Sequence, residues 1–218
     1  MTLIPYTQPR PYLLRRASQP GRPLIVYLPG YTQRVEAPDV VRWHDRLPWQ
    51  WRKNAVVESG LLDLAERHDV NVCWVSASRY AWAPWFARNW SERDVGQVAL
   101  IAMNLDAELR PSDRFLCGFS DGATLVHEWA RERGRWWDGY VAHSGLWGDA
   151  PVSRGGSPLL LVCGDQEPHR AIRDAQPAIQ QRYRDAGRTC ELWELPGVGH
   201  EFSAKDSERF LTWCLDNS

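Results

Sequence analysis

The chain has 218 residues, 44% of them hydrophobic and 24% charged, with a formal net charge of -1. That length suits a single domain with a large core, spanning residues 1–218. The composition is ordinary for a globular protein, and the near-neutral balance argues against nucleic acid or another polyanion as partner.

Five cysteines (Cys73, Cys117, Cys163, Cys190 and Cys214) are an odd set, and most lie in apolar runs. They read as reduced core residues rather than a disulfide framework. No Cys-x-x-Cys or His-Glu-x-x-His pattern suggests a metal, and no cofactor is expected. The segment Met1 to Pro20 lacks an apolar signal core and no run is long enough to span a membrane, so the expected location is cytoplasmic.

In chain order, residues 1–22 are rich in proline and basic residues, with Tyr12-Leu13-Leu14 as a candidate edge strand. Leu24 to Leu28 is a short apolar, β-branched run closed by Pro29-Gly30, the pattern of a buried strand. A long irregular loop follows over residues 31–53. Val56, Val57, Leu61, Leu64 and Ala65 then recur at helical spacing, which predicts one helix from Asn54 to His68. Val70 to Ser76 reads as a second buried strand, and Arg79 to Asn89 as an aromatic loop. Ser91 can cap a helix running to about Arg110, with Val95, Val98, Ile101, Ala102 and Leu105 on its buried face.

The segment from Arg114 to Phe119 is the next strand, followed by a helix with Ala123, Leu125, Val126, Trp129 and Ala130 inward. Strands are expected at Gly139 to His143, Pro158 to Cys163 and Thr189 to Leu195. A polar helix over residues 169–186 and a closing helix from Ser203 to Asn217 complete the pattern. Alternating strands and helices imply a parallel sheet covered on both faces. Ligands of such sheets bind beyond the carboxyl ends of the strands.

Reactive residues fall at that edge. Gly118-Phe119-Ser120-Asp121-Gly122 joins a strand to a helix, so Ser120 should occupy a sharp turn with its hydroxyl above the sheet. Asp165 and Glu167 follow the strand ending at Cys163, and His200 follows the strand ending at Leu195. A serine hydroxyl needs a base within reach, and the base needs a carboxylate that fixes its tautomer. The order serine, acid, histidine supplies all three.

These segments resemble the α/β-hydrolase superfamily, in particular compact serine esterases. The chain is similar to the carboxylesterase/phospholipase group and to esterases related to polyhydroxybutyrate depolymerases and feruloyl esterases. The resemblance runs from about Leu24 onward. It is carried by Leu28-Pro29-Gly30-Tyr31, by Gly118 to Gly122, by Gly164-Asp165-Gln166-Glu167-Pro168 and by Gly197-Val198-Gly199-His200. Pro29 stands where many relatives carry histidine.

The resemblance implies an α/β-hydrolase fold, with a mostly parallel sheet and helices on both faces, and the short segment between the Ser120 helix and the acid strand leaves no room for a separate cap domain. It implies hydrolysis of a small-molecule carboxylic ester by Ser120, His200 and an acid. Glu167 is the expected acid, from the family's spacing after the strand-ending glycine and the Pro168 that follows, and Asp165 is its competitor. Backbone N–H groups of Tyr31 and Asp121 would form the oxyanion hole. A thioesterase or acyltransferase would use the same machinery, and a non-catalytic binding protein could share the fold.

Tryptophan is abundant, with 13 residues. Trp43, Trp49 and Trp51 lie in one loop leaving the carboxyl edge, and Trp82, Trp85 and Trp90 in another. Trp147 leaves from the same edge, whereas Trp136 and Trp137 precede a strand and belong at the far end. Trp82, Trp85 and Trp147 are candidates for a hydrophobic or aromatic substrate rim. The alternative is that these aromatics anchor long loops to the core.

Overall fold

The computed structural model describes residues 3–6, 11–30, 33, 35, 54–77, 92–146, 151–202 and 204–217. Its strands are β1 (Leu3–Tyr6), β2 (Tyr12–Arg15), β3 (Leu24–Leu28), β4 (Asn71–Val75), β5 (Arg114–Phe119), β6 (Gly139–His143), β7 (Leu159–Gly164) and β8 (Cys190–Leu195). Its helices are α1 (Ala55–Glu58), α2 (Leu61–Arg67), α3 (Glu92–Leu109), α4 (Asp121–Glu132), α5 (Arg170–Arg173), α6 (Gln176–Asp185) and α7 (Ala204–Asp216).

The eight described strands form one sheet in the order β1-β2-β4-β3-β5-β6-β7-β8. The β1/β2 and β2/β4 pairs are antiparallel. The remaining pairs are parallel. The chain steps outward from β3 to β4, then crosses back to lay β5 on the other side of β3. The direction of winding therefore reverses between β3 and β5, the place where open α/β sheets form their binding crevice. Register aligns Leu28 with Gly118, so the segments leaving β3 and β5 start side by side.

The parallel strands read as near-continuous apolar runs because both their faces are buried. Leu24, Val26, Leu28, Leu116, Leu159 and Leu161 point to one face, under Ile101, Leu105, Val126, Trp129, Ile179 and Tyr183 from α3, α4 and α6. Ile25, Tyr27, Phe115, Cys117, Leu160 and Val162 point to the other, under Val56, Leu61, Leu64, Phe210 and Leu211 from α1, α2 and α7. Each fully buried large side chain contributes about 1.5–3 kcal/mol, so the two faces supply most of the fold's stability. All five cysteines are free and buried. No described helix is long and apolar enough to cross a membrane.

Four expectations from the sequence need correction. Tyr12 to Leu14 belongs to a strand that is not at the edge, because β1 pairs outside it. The helix expected from Asn54 to His68 is two helices, broken where Gly60 adopts φ 63°. That break turns Val57 outward to 57% exposure, off the buried face predicted for it. The helix expected over 169–186 is likewise split into α5 and α6, with Pro177 in the first turn of the second.

Candidate active site

The turn from β5 into α4 carries Ser120 at φ 54°, ψ -116°. A non-glycine residue in such a region costs about 1–3 kcal/mol and persists only where its surroundings hold it. The Ser120 N–H donates to the His143 carbonyl at 2.8 Å. Its carbonyl accepts from the Thr124 N–H at 3.1 Å. The flanking glycines are steric necessities: a Cβ on Gly118 would lie 2.6 Å from the Gly122 backbone, and one on Gly122 would run into the Leu28 carbonyl. Ser120 occupies the cap position of α4 yet its side chain makes no capping bond. The hydroxyl is thereby left for another partner.

That partner is His200. Ser120 Oγ and His200 Nε2 are 2.8 Å apart, and His200 Nδ1 is 2.7 Å from Glu167 Oε2. The tautomer that satisfies both contacts has Nδ1–H donating to the carboxylate and Nε2 accepting from the serine hydroxyl. The Glu167 side chain is fully buried, while 23% of the His200 side chain is exposed. The second carboxylate oxygen of Glu167 accepts from the His169 backbone N–H at 3.1 Å. Both oxygens of a buried carboxylate are thus engaged, as burial requires.

Two loops are laced together to achieve this. The Asp165 N–H donates to the Leu195 carbonyl at 3.1 Å, and the Gln166 N–H to the Val198 carbonyl at 3.0 Å. Gly164 permits the approach, since a Cβ there would run into the Val198 carbonyl. Asp165 accepts from the Gly197 N–H at 2.8 Å and braces the loop that carries His200. The structure therefore brings Glu167, not Asp165, to the histidine.

The His200 ring packs on Phe119 at 5.1 Å between centroids, tilted by 37°. His169 stands edge-on to it at 4.9 Å and 87°. His143, at the end of β6, is fully buried and packs among Phe119, Phe202 and Phe210. Neither of its ring nitrogens has a hydrogen-bond partner. Burial, with a smaller contribution from His200 nearby, pushes its pKa down to about 3, so it is neutral. His127, on α4, is buried and its ring stacks on that of Tyr183.

Asp121 is the first residue of α4, directly after Ser120. Tyr31, Trp82, Trp85 and Trp147 lie outside the described residues, as do Trp43, Trp49, Trp51 and Trp90. Trp136 and Trp137 pack with Trp129, at the end of the sheet away from Ser120.

Two further residues at the site have little or no sequence signature. Gln33 is buried, and its Oε1 accepts from the Gly30 N–H at 3.0 Å and from the Tyr27 hydroxyl at 3.2 Å. Its Nε2 donates to Glu58 at 3.1 Å. The Gln33 N–H closes the turn onto the Gly30 carbonyl at 3.1 Å. His169 is the other: with Glu167 and His200 it forms a group whose ligand atoms lie within 4.8 Å of one another, an arrangement able to hold a metal ion. The Glu167-Pro168-His169 spacing was its only trace in the sequence.

The arrangement has the parts for nucleophilic acyl transfer: an exposed-edge hydroxyl, a base in contact with it, and a buried carboxylate orienting the base. No family model matches the chain, and no curated protein matches it. Solved structures do. Esterase PE8 superposes with a TM-score of 0.67 at 18% identity, covering 98% of this chain and 100% of that one. A ferulic acid esterase gives 0.68 at 14% identity, covering 100% and 98%. An alpha-beta serine hydrolase homologue from Coxiella burnetii gives 0.62 at 13% identity, covering 99% and 96%. At these identities the likeness is one of fold: the chain has the α/β-hydrolase fold that its motifs implied.

Proposed function

We propose that the protein is a serine hydrolase that cleaves a small-molecule carboxylic ester through an acyl-serine intermediate. One observation carries this reading: the unbroken line from Glu167 through His200 to Ser120, with contacts of 2.7 and 2.8 Å, at the carboxyl edge of the sheet. Ser120 Oγ attacks the ester carbonyl while His200 Nε2 takes its proton. Glu167 holds the imidazole in the required tautomer and stabilises the imidazolium that forms. The proton passes to the leaving alkoxide, and the alcohol departs. A water molecule, deprotonated by His200, then attacks the acyl carbonyl; the carbonyl–Oγ bond breaks, the carboxylic acid departs and His200 returns the proton to Ser120 Oγ.

The oxygen that becomes negative in each step needs donors. The N–H of Asp121, at the first turn of α4, and that of Tyr31 after Gly30 are the proposed pair. One such donor is worth about 3–4 kcal/mol in comparable sites. Trp82, Trp85 and Trp147 are proposed to line the substrate's hydrophobic or aromatic portion. Their support is their sequence position after strands that end at this edge.

The test is turnover of p-nitrophenyl esters of graded acyl length, with a thioester for comparison, by the native protein and S120A. The reading expects ester hydrolysis that falls by at least about 10³-fold in S120A. Hydrolysis that is absent, or equal in the two proteins, overturns it.

A further inference from the structure

We propose that Glu167, His169 and His200 form a reversible zinc-binding site whose occupation switches off the chemistry of Ser120. The inhibitory half rests on the function proposed above; the metal-binding half does not.

The donors come from two loops. Glu167 and His169 are separated only by Pro168, and the chain turns so that the His169 N–H bonds back to the Glu167 carboxylate at 3.1 Å. That turn sets the His169 ring edge-on to the His200 ring at 4.9 Å between centroids. The three ligand atoms lie within 4.8 Å of one another. Zinc binds nitrogen and oxygen at about 2.0–2.2 Å, so a tetrahedral site needs donors roughly 3.4 Å apart. No pair therefore has to close by more than about 1.4 Å, while Glu167 Oε2 and His200 Nδ1, 2.7 Å apart, have to open by about 0.7 Å to admit the ion. His169 is exposed, so its side chain can turn to make that adjustment.

Chemistry and access favour zinc. Two imidazoles and one carboxylate form a donor set suited to zinc and poorly suited to magnesium or calcium, which take oxygen ligands. The carboxylate is buried and held by the loop, while both imidazoles reach solvent. An ion can therefore approach the imidazoles from outside, and it reaches the carboxylate by taking the place of the His200 Nδ1 proton in its bond to Oε2. Three protein ligands leave a fourth position open for water. His68 and Glu208, 3.6 Å apart on the surface, offer only two donors and serve as a control.

Occupation is incompatible with general-base work. A His200 nitrogen that gives its lone pair to zinc cannot take the Ser120 proton. Coordination through Nδ1 moves the ring proton to Nε2, so the nitrogen facing Ser120 has no lone pair to accept with, and it replaces the bond that aligns the ring with Glu167. Removing the ion restores that bond, so inhibition reverses on chelation.

The experiment is a titration of the full chain with zinc chloride by calorimetry, together with the visible absorption of cobalt(II) as a coordination probe. Wild type, S120A, H169A, H200A and H68A are compared. The proposal expects one ion per chain in wild type, S120A and H68A, and affinity weakened at least about tenfold in H169A and H200A. Ester turnover should fall as zinc is added, recover with EDTA, and require a correspondingly higher zinc concentration in H169A. No binding by wild type, or equal affinity in H169A, overturns the site. Binding without inhibition of an active enzyme overturns the switch. Because S120A carries the binding test, a failure of ester hydrolysis is distinguishable from a failure of the metal site.

Discussion

Asp165 and Gly197 are joined by a 2.8 Å hydrogen bond from the Gly197 N–H to the Asp165 carboxylate, three residues before His200. Glu167, two residues along the same loop, takes the His200 ring itself at 2.7 Å. Two neighbouring carboxylates thus have separate work, one bracing a loop and one holding an imidazole. E167Q should lower kcat/KM by about 10²–10⁴-fold, because a neutral amide cannot stabilise the imidazolium. D165N should leave kcat/KM within a few-fold and reduce stability by about 1 kcal/mol or less. Steady-state kinetics and thermal melts of both variants check this, and equal small losses would remove Glu167 from the mechanism.

Gly164 and Gly96 separate steric need from mere tolerance. A Cβ at Gly164 would enter the Val198 carbonyl, whereas one at Gly96 on α3 meets nothing within 4 Å. G164A should destabilise by about 1–3 kcal/mol and displace the loop bearing His200, so turnover falls with stability. G96A should stabilise by about 0.5–1 kcal/mol with unchanged turnover. Urea unfolding beside an ester assay reads both.

Acid should destabilise the fold through two buried histidines. His143 and His127 both have pKa values lowered from 6.5 to about 3, chiefly by burial. A depressed histidine pKa means the unfolded chain binds more protons than the folded one. Nothing is lost above pH 6.5, and stability falls as pH drops from there toward 3. The slope is about 1.4 kcal/mol per pH unit for each histidine. Since the His143 nitrogens lack partners among aromatic rings, H143F should raise stability and reduce that slope by one proton. Unfolding free energies from pH 8 to pH 4 provide the measurement, and an unchanged slope would contradict it.

Gln33 is expected to act as a positioning residue for the turn after β3. It binds the Gly30 N–H, the Tyr27 hydroxyl and Glu58 with one side chain. Q33A should lower kcat by roughly 10–100-fold while KM changes little, the signature of a misplaced transition-state donor. A loss of stability with kcat intact would make Gln33 purely structural.

Much of this was legible in the sequence, for physical reasons. Strands buried on both faces, such as Leu24–Leu28 and Leu159–Gly164, announce themselves as apolar runs. Ser120 was legible because its turn excludes side chains at Gly118 and Gly122. His200 stood out from five other histidines by its glycine-flanked place after a strand. Spacing and the proline after it favour Glu167 over Asp165, but both leave the same strand, and it is the loop lacing that sets Glu167 against the ring and Asp165 against the Gly197 N–H. Gln33 and His169 act through backbone turns and ring contacts, which leave no periodicity to read. The break at Gly60 leaves no trace in the sequence pattern, because apolar spacing continues across it.

The most direct test of the central claim is covalent. The native protein is treated with an alkyl fluorophosphonate, which needs an activated serine, and its intact mass and labelled peptide are measured. One adduct per chain is expected, located on Ser120, absent in S120A and formed far more slowly in H200A. An unlabelled native protein, or labelling that persists in S120A, would contradict it.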